Sequence, residues 1–153
     1  MIANGAGTRL DELAHKLLDV VTQFCLAAPR GRRRGGDLKE VEFLALSLLH
    51  HRETLIVGEI QRQLGVLPAQ MSRIIRALEN RERPLIACSI NPNDKRKIDV
   101  GLTPAGLAAF REYQTSRVRS ITALLAHLEP ADLQDLSRLL RILQQIIVGS
   151  SAV

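Results

Sequence analysis

Between Pro84 and Pro104 the hydrophobic period of the chain leaves the helical step and becomes strict alternation. Leu85-Ile-Ala-Cys-Ser-Ile90 puts Ile86, Cys88 and Ile90 on one face, and Ile98-Asp-Val-Gly-Leu102 does the same with Ile98, Val100 and Leu102. Alternation of this kind marks half-buried strands. Between them, Asn91-Pro-Asn-Asp-Lys-Arg-Lys97 is rich first in turn formers and then in positive charge. The segment predicts a two-stranded hairpin with a basic tip, set in a chain that is otherwise helical.

Four helical patterns precede the hairpin. Leu10, Leu13, Leu17, Val21, Phe24 and Ala28 recur at steps of three and four, and Pro29 ends that run. Arg30-Gly-Arg-Arg-Arg-Gly-Gly36 follows as a flexible basic linker. A second helix is expected from Asp37, as N-cap with Glu40 as capping-box partner, carrying Val41, Leu44, Ala45, Leu48 and Leu49 on its apolar stripe. A third is expected over 56–64, with Val57, Ile60 and Leu64 inward and Gly65 as its stop. Pro68 then suits the first turn of a fourth helix, where its missing N–H costs nothing, and this helix buries Met71, Ile74, Ile75 and Leu78 up to about Arg81. Beyond the hairpin, Thr103-Pro104 restarts a long helix whose stripe runs Leu107, Phe110, Gln114, Val118, Ile121, Leu125, Leu128. Pro130 opens the last helix, with Leu133, Leu136, Leu140, Leu143 and Ile147, and the tail from Gly149 is expected to fray.

The fold class is therefore mostly α (α+β): a winged helix-turn-helix core flanked by N- and C-terminal dimerisation helices. Residues 1–36 form the first dimerisation helix and the linker, 37–103 the winged lobe, and 104–153 the C-terminal dimerisation helices. The terminal helices are leucine-rich with too little partner surface inside one small domain, which predicts a homodimer.

The fourth helix carries the chemistry. Its outward positions are Ala69, Gln70, Ser72, Arg73 and Arg76, with acids only later at Glu79 and Glu82. Glutamine pairs bidentately with adenine, arginine with guanine, serine with either, and alanine can touch a thymine methyl. At the hairpin tip, Lys95, Arg96 and Lys97 project charge that can reach a phosphate backbone or a minor groove. Asp94 is expected to be structural, accepting turn amides or holding the Arg96 guanidinium. A net charge of +5 and an isoelectric point near 9.9 favour an anionic partner.

At these residues the chain resembles the multiple antibiotic resistance regulators (MarR family). Gly65-Val-Leu-Pro-Ala-Gln-Met-Ser-Arg-Ile-Ile-Arg-Ala-Leu78, the wing tip Asn91-Pro-Asn-Asp-Lys-Arg-Lys97 and the helix start Leu102-Thr-Pro-Ala-Gly106 carry the resemblance. It implies a homodimer with intertwined terminal helices and two reading helices on a palindromic operator. It puts Ser72 and Arg73 at base-reading positions and Arg96 at the wing's groove-inserting position. It also implies a small amphipathic or phenolic effector, of no identity that the sequence names. Two departures stand out: Arg83-Pro84 replaces the glycine usual at the start of the wing, and Cys88 replaces an arginine common in its first strand.

Other chemistries find little support. His50 and His51 are adjacent and so point about 100° apart on a helix, a poor geometry for one metal ion, and His15 and His127 lie on separate helices. There is no paired-cysteine or H-x-x-x-H spacing, no nucleophile elbow and no phosphate loop, so neither metal, cofactor nor catalysis is expected. Aromatic residues are too scarce for a base-stacking platform. No apolar run is long enough to span a bilayer and nothing reads as a signal peptide, so a cytoplasmic protein without a membrane partner is expected. The expected function is that of a sequence-specific double-stranded DNA-binding transcriptional regulator, a repressor tuned by a small ligand. The alternatives are a winged-helix module that binds protein, and a thiol-based redox sensor acting through Cys25, which sits in the first helix, the helix in which the resembled family's hydroperoxide-sensing branch carries a reactive cysteine.

Overall fold

The computed structural model describes residues 4–27 and 37–150, with side chains from residue 7 onward in the first stretch. The chain divides into two units at Asp37. The first contains helix α1 (Asn4–Ala27). Leu10, Leu13, Leu17, Leu18, Val21 and Leu26 are all exposed on it. The basic linker from Arg30 to Arg34 lies outside the described residues.

The second unit holds α2 (Glu40–His51), β1 (Thr54–Ile56), α3 (Val57–Leu64), α4 (Pro68–Glu79), β2 (Ile86–Ile90), β3 (Ile98–Leu102), α5 (Pro104–Leu125) and α6 (Pro130–Ser150). It is the mostly helical winged helix-turn-helix that the periodicities imply. Turn chemistry sets its corners. Gly65 ends α3 at φ 64°, a left-handed conformation that side chains with a Cβ rarely adopt. Pro68 opens α4, and Met71, Ile74 and Leu78 follow at steps of three and four and are all buried.

The core is one cluster. Ala45, Leu46 and Leu49 of α2 meet Ile60 of α3, Met71, Ile74 and Leu78 of α4, Ile86 and Val100 of the hairpin and Phe110 of α5. The expected hairpin forms, pairing Ile86 opposite Leu102, Cys88 opposite Val100 and Ile90 opposite Ile98. Burial fades along it: Ile86 and Val100 are buried at the base, whereas Ile90 and Ile98 are exposed toward the tip.

Several expectations need correction. A third strand, β1, pairs antiparallel with β3, Leu55 opposite Val100, so the sheet runs β1-β3-β2. Three residues cannot display a period, and β1 runs directly into α3. Helix α2 is capped two residues later than Asp37: Lys39 is the N-cap, and its N–H donates to Glu42 Oε2 at 3.0 Å, so Glu42 replaces Glu40 as the capping carboxylate. Helix α5 stops at Leu125 and leaves Leu128 in the turn before α6. Helix α6 continues through Gly149 to Ser150.

The junction of wing and α5 explains the Leu102-Thr-Pro-Ala-Gly106 motif. Thr103 Oγ1 accepts the Gly106 N–H at 3.0 Å and donates to the Pro84 carbonyl at 2.6 Å. The Thr103 N–H donates to the Leu85 carbonyl at 3.1 Å. A Cβ on Gly106 would lie 2.0 Å from that same carbonyl oxygen, so only glycine lets α5 start this close to the wing. Pro84, at the place of the usual wing glycine, thus has its carbonyl tied to the cap of α5.

Candidate nucleic-acid interface

Helix α4 has two faces of different character. Met71, Ile74 and Leu78 are buried and Ile75 is half-buried. Ala69, Gln70, Ser72, Arg73 and Arg76 are exposed. All five predicted outward residues therefore lie at the surface, on the side opposite the core. Ser72 Oγ donates to the Pro68 carbonyl at 3.1 Å, one turn back along the same helix. That bond uses the hydroxyl's proton and leaves its lone pairs, so Ser72 is best suited to accept a hydrogen bond.

The wing tip is a compact polar knot. Asn91 Oδ1 accepts the N–H groups of Asn93 and Asp94, each at 2.9 Å, while Asn91 Nδ2 donates to Asp99 Oδ1 at 2.9 Å. The Asn91 N–H donates to the Lys97 carbonyl and the Lys97 N–H to the Asp94 carbonyl, both at 2.9 Å. Asp94 performs both tasks expected of it. Its Oδ1 accepts the Arg96 backbone N–H at 3.1 Å and the Arg96 Nε at 3.2 Å, and its Oδ2 lies 3.9 Å from Lys97 Nζ. The Arg96 hydrogen bonds, with a smaller contribution from the Lys97 charge, hold the Asp94 carboxyl below its ordinary pKa. Arg96 keeps a side chain that is 91% exposed even while anchored, and Lys95 and Lys97 are exposed beside it. The turn thus fixes the base of the Arg96 guanidinium and presents the rest outward.

Two residues that sequence reasoning passed over hold α4 in place. Arg81, just beyond its C-terminus, donates from Nη2 to Glu42 Oε2 at 2.9 Å and from Nε to the Ala77 carbonyl at 3.0 Å. Glu42 is 3% exposed, the one buried charged residue described. A glutamate on the inner face of a predicted helix was the available signal. The partner arginine, 39 residues away, carried none.

The adjacent histidines His50 and His51 make separate contacts. The ring of His50 lies 4.7 Å from that of Phe110, and His51 Nδ1 donates to the Ser47 carbonyl at 2.8 Å. Phe43 stacks on Tyr113 at 4.3 Å and on Phe110 at 5.3 Å, and Arg117 sits 5.5 Å over the Tyr113 ring. Among the described residues no group of three or more His, Cys, Asp or Glu side chains is arranged to hold a metal ion. Cys25 is exposed on α1. Cys88 is half-buried in β2, and burial, then the negative charge of Glu79, push its thiol pKa up, away from a reactive thiolate. Among the described residues no helix is long and apolar enough to cross a membrane.

The same architecture recurs in solved structures. YusO from Bacillus subtilis superposes with a TM-score of 0.66 at 22% identity, covering 93% of this chain and 99% of that one. BpsR from Bordetella bronchiseptica, whose DNA binding is regulated by 6-hydroxynicotinic acid, gives 0.63 at 23% identity over 87% of this chain and 98% of its own. A mutant of MarR from E. coli gives 0.64 at 19% identity, over 90% and 95% of the two chains. At these identities the likeness establishes the fold. No curated protein is similar enough to match this chain. The model of the MarR family matches residues 38–98, a span that contains α2, α3, α4 and the wing tip. Residues 38–98 therefore match the MarR family over the lobe that holds α4 and the wing tip, on the winged helix-turn-helix fold that these structures share.

Proposed function

We propose that this chain is a transcriptional repressor that binds a palindromic operator as a homodimer and releases it on binding a small ligand. One observation carries the reading: the exposed face of α4 bears Gln70, Ser72, Arg73 and Arg76, with no acid until Glu79, while its other face is locked into the core by Met71, Ile74 and Leu78. A helix anchored on one side with this donor-rich surface on the other suits the major groove. The wing, with Lys95, Arg96 and Lys97 at its tip, supplies phosphate or minor-groove contacts beside it.

The dimer reading rests on apolar surface. Leucines, isoleucines and valines of α1, α5 and α6 stand exposed in the single chain, among them Leu13, Leu17, Val118, Ile121, Leu139, Leu140 and Leu143. Residues 1–36 and 104–153 serve in this reading as the dimerisation arms, and 37–103 as the DNA-binding lobe. A second subunit covers these stripes, and two-fold symmetry then sets two copies of α4 against two half-sites about one helical turn apart. Regulation by a small molecule is supported by BpsR, which responds to 6-hydroxynicotinic acid. A regulator of this kind works in the cytoplasm.

Selection of bound duplexes from a random pool, followed by titration of the enriched sequence, tests the reading. An enriched inverted repeat bound by two chains is expected. Absence of any enriched duplex would leave the protein-binding alternative.

A further inference from the structure

Leu67 is the most exposed large apolar residue among the described residues, at 74%. It does not belong to the stripes of α1, α5 or α6. It is the N-cap of α4, with extended backbone at φ −74° and ψ 155°, and its side chain makes no capping hydrogen bond. Serine, threonine, aspartate or asparagine is favoured at such a position because its oxygen satisfies one of those amides. Position 67 forgoes that cap and holds an isobutyl group in water, immediately before the exposed Pro68, Ala69 and Gln70.

Both costs have one explanation if the position faces a polar surface bearing an isolated apolar group. The major groove of duplex DNA is such a surface. Its base edges present hydrogen-bond donors and acceptors, and its apolar feature is the 5-methyl group of thymine. A protein partner fits less well, because beyond Pro68 and Ala69 the exposed residues of α4 as far as Arg76 are polar or cationic: Gln70, Ser72, Arg73 and Arg76. We propose that Leu67 is a specificity residue that packs on a thymine methyl at the edge of the base pairs read by α4. The assignment rests on α4 being the groove-entering helix.

The test uses the full chain and a duplex enriched from a random pool, with each thymine replaced singly by deoxyuridine. That exchange removes the methyl group and leaves the hydrogen-bonding edge intact. For the unmodified protein, one position in each half-site should lose roughly fourfold in affinity, the worth of burying a single methyl. Leu67→Ala should bind the thymine and uracil duplexes alike at that position while keeping its other base preferences. Leu67→Ser should show the same indifference together with a higher melting temperature, because it restores the cap. A purely structural role would instead lower the melting temperature of Leu67→Ala and leave its methyl sensitivity in place. The proposal is overturned if no deoxyuridine exchange matters, if Leu67→Ala keeps the sensitivity, or if Ala69→Gly abolishes it in its stead. Enrichment without any methyl effect removes Leu67 alone, whereas failure to enrich any duplex removes the DNA reading and Leu67 with it.

Discussion

Arg81 and Glu42 form an ion pair of 2.9 Å that joins the end of α4 to the first turn of α2. The Glu42 oxygen that takes the guanidinium also accepts the Lys39 N–H, so one carboxylate caps α2 and fastens α4. Such a pair adds little net stability over an apolar replacement, but removing one partner strands a charge. Arg81→Ala leaves Glu42 buried with its capping bond alone, and should cost about 3 kcal/mol. Arg81 is partly exposed, so water can recover some of that loss. Arg81→Ala should therefore melt several degrees below the unmodified protein, and Glu42→Gln, which keeps an acceptor for Lys39, should lose less. Thermal unfolding followed by circular dichroism decides, and equal melting of Arg81→Ala and the parent would show that the pair does not hold α4.

The wing should depend on pH through Asp94. Its pKa in the folded chain lies below that of an unfolded aspartate because Arg96 hydrogen-bonds to the charged form. A depressed carboxyl contributes stability above its unfolded pKa, and that contribution disappears as pH falls through the lower, folded value. The knot should thus be intact at neutral pH and loosen only below the ordinary carboxylate range. Carboxyl and Arg96 Nε resonances followed by NMR during acid titration should move together. Asp94→Asn should abolish the coupled transition, and separate midpoints in the unmodified protein would contradict the clamp.

Much of this organisation was legible in the chain because local chemistry and tertiary demand agree there. Gly65 ends α3 in a left-handed turn, Pro68 begins α4, and Met71, Ile74 and Leu78 are buried at the spacing that their period implies. Alternation gave the faces of the two hairpin strands, while the pairing of Cys88 with Val100 is set by the turn between them. The remainder depended on partners distant in sequence. Strand β1 exists because β3 offers it an edge. Asp37-x-x-Glu40 and Lys39-x-x-Glu42 both have a glutamate three residues on, and the second is used although lysine is a poor cap, because Glu42 also meets Arg81. Gly106 is required by the Leu85 carbonyl, which no local pattern announces. The outward residues of α4 could be named from helical phase, but their ligand is an inference from residue type.

Dimerisation follows from the exposed stripes. Sedimentation at micromolar concentration should give the mass of two chains, and deletion of residues 1–28 or 129–153 should cost solubility or the dimer. A well-folded, soluble monomer from either deletion would sink the intertwined arrangement.

Salt dependence separates the roles at the wing tip. Lys95 is exposed beside the Asp94–Arg96 pair and has no ion-pair partner in the tip, where Asp94 serves Arg96 and Lys97. If Lys95 meets a phosphate, Lys95→Ala should reduce the slope of log affinity against log salt by about one unit and weaken all duplexes alike. Arg96→Ala should weaken specific and nonspecific duplexes too, with its largest effect where the minor groove is narrow. Binding by both variants that matches the parent at every salt concentration would place the wing away from the DNA.

Arg73 gives the most direct test of the reading helix. It lies in the first two turns of α4, exposed, between the buried Met71 and Ile74 that fix the phase of the helix. Removing its side chain should leave the core untouched, so circular dichroism and melting temperature should match the parent. A bidentate contact with guanine would make Arg73→Ala cost about 1–3 kcal/mol. The loss should fall on one base pair in each half-site, because the arginine forks onto two acceptors of a single base. A phosphate contact predicts something different: a uniform loss over all sequences and a smaller salt slope. Truncation of Met71 or Ile74 serves as the opposite control, since it should reduce stability before it changes base preference. Binding of parent and variants to an operator library at fixed salt distinguishes these outcomes. A folded Arg73→Ala protein with unchanged affinity and unchanged base preference would take Arg73 out of the interface, and would require α4 to present a different edge to the groove.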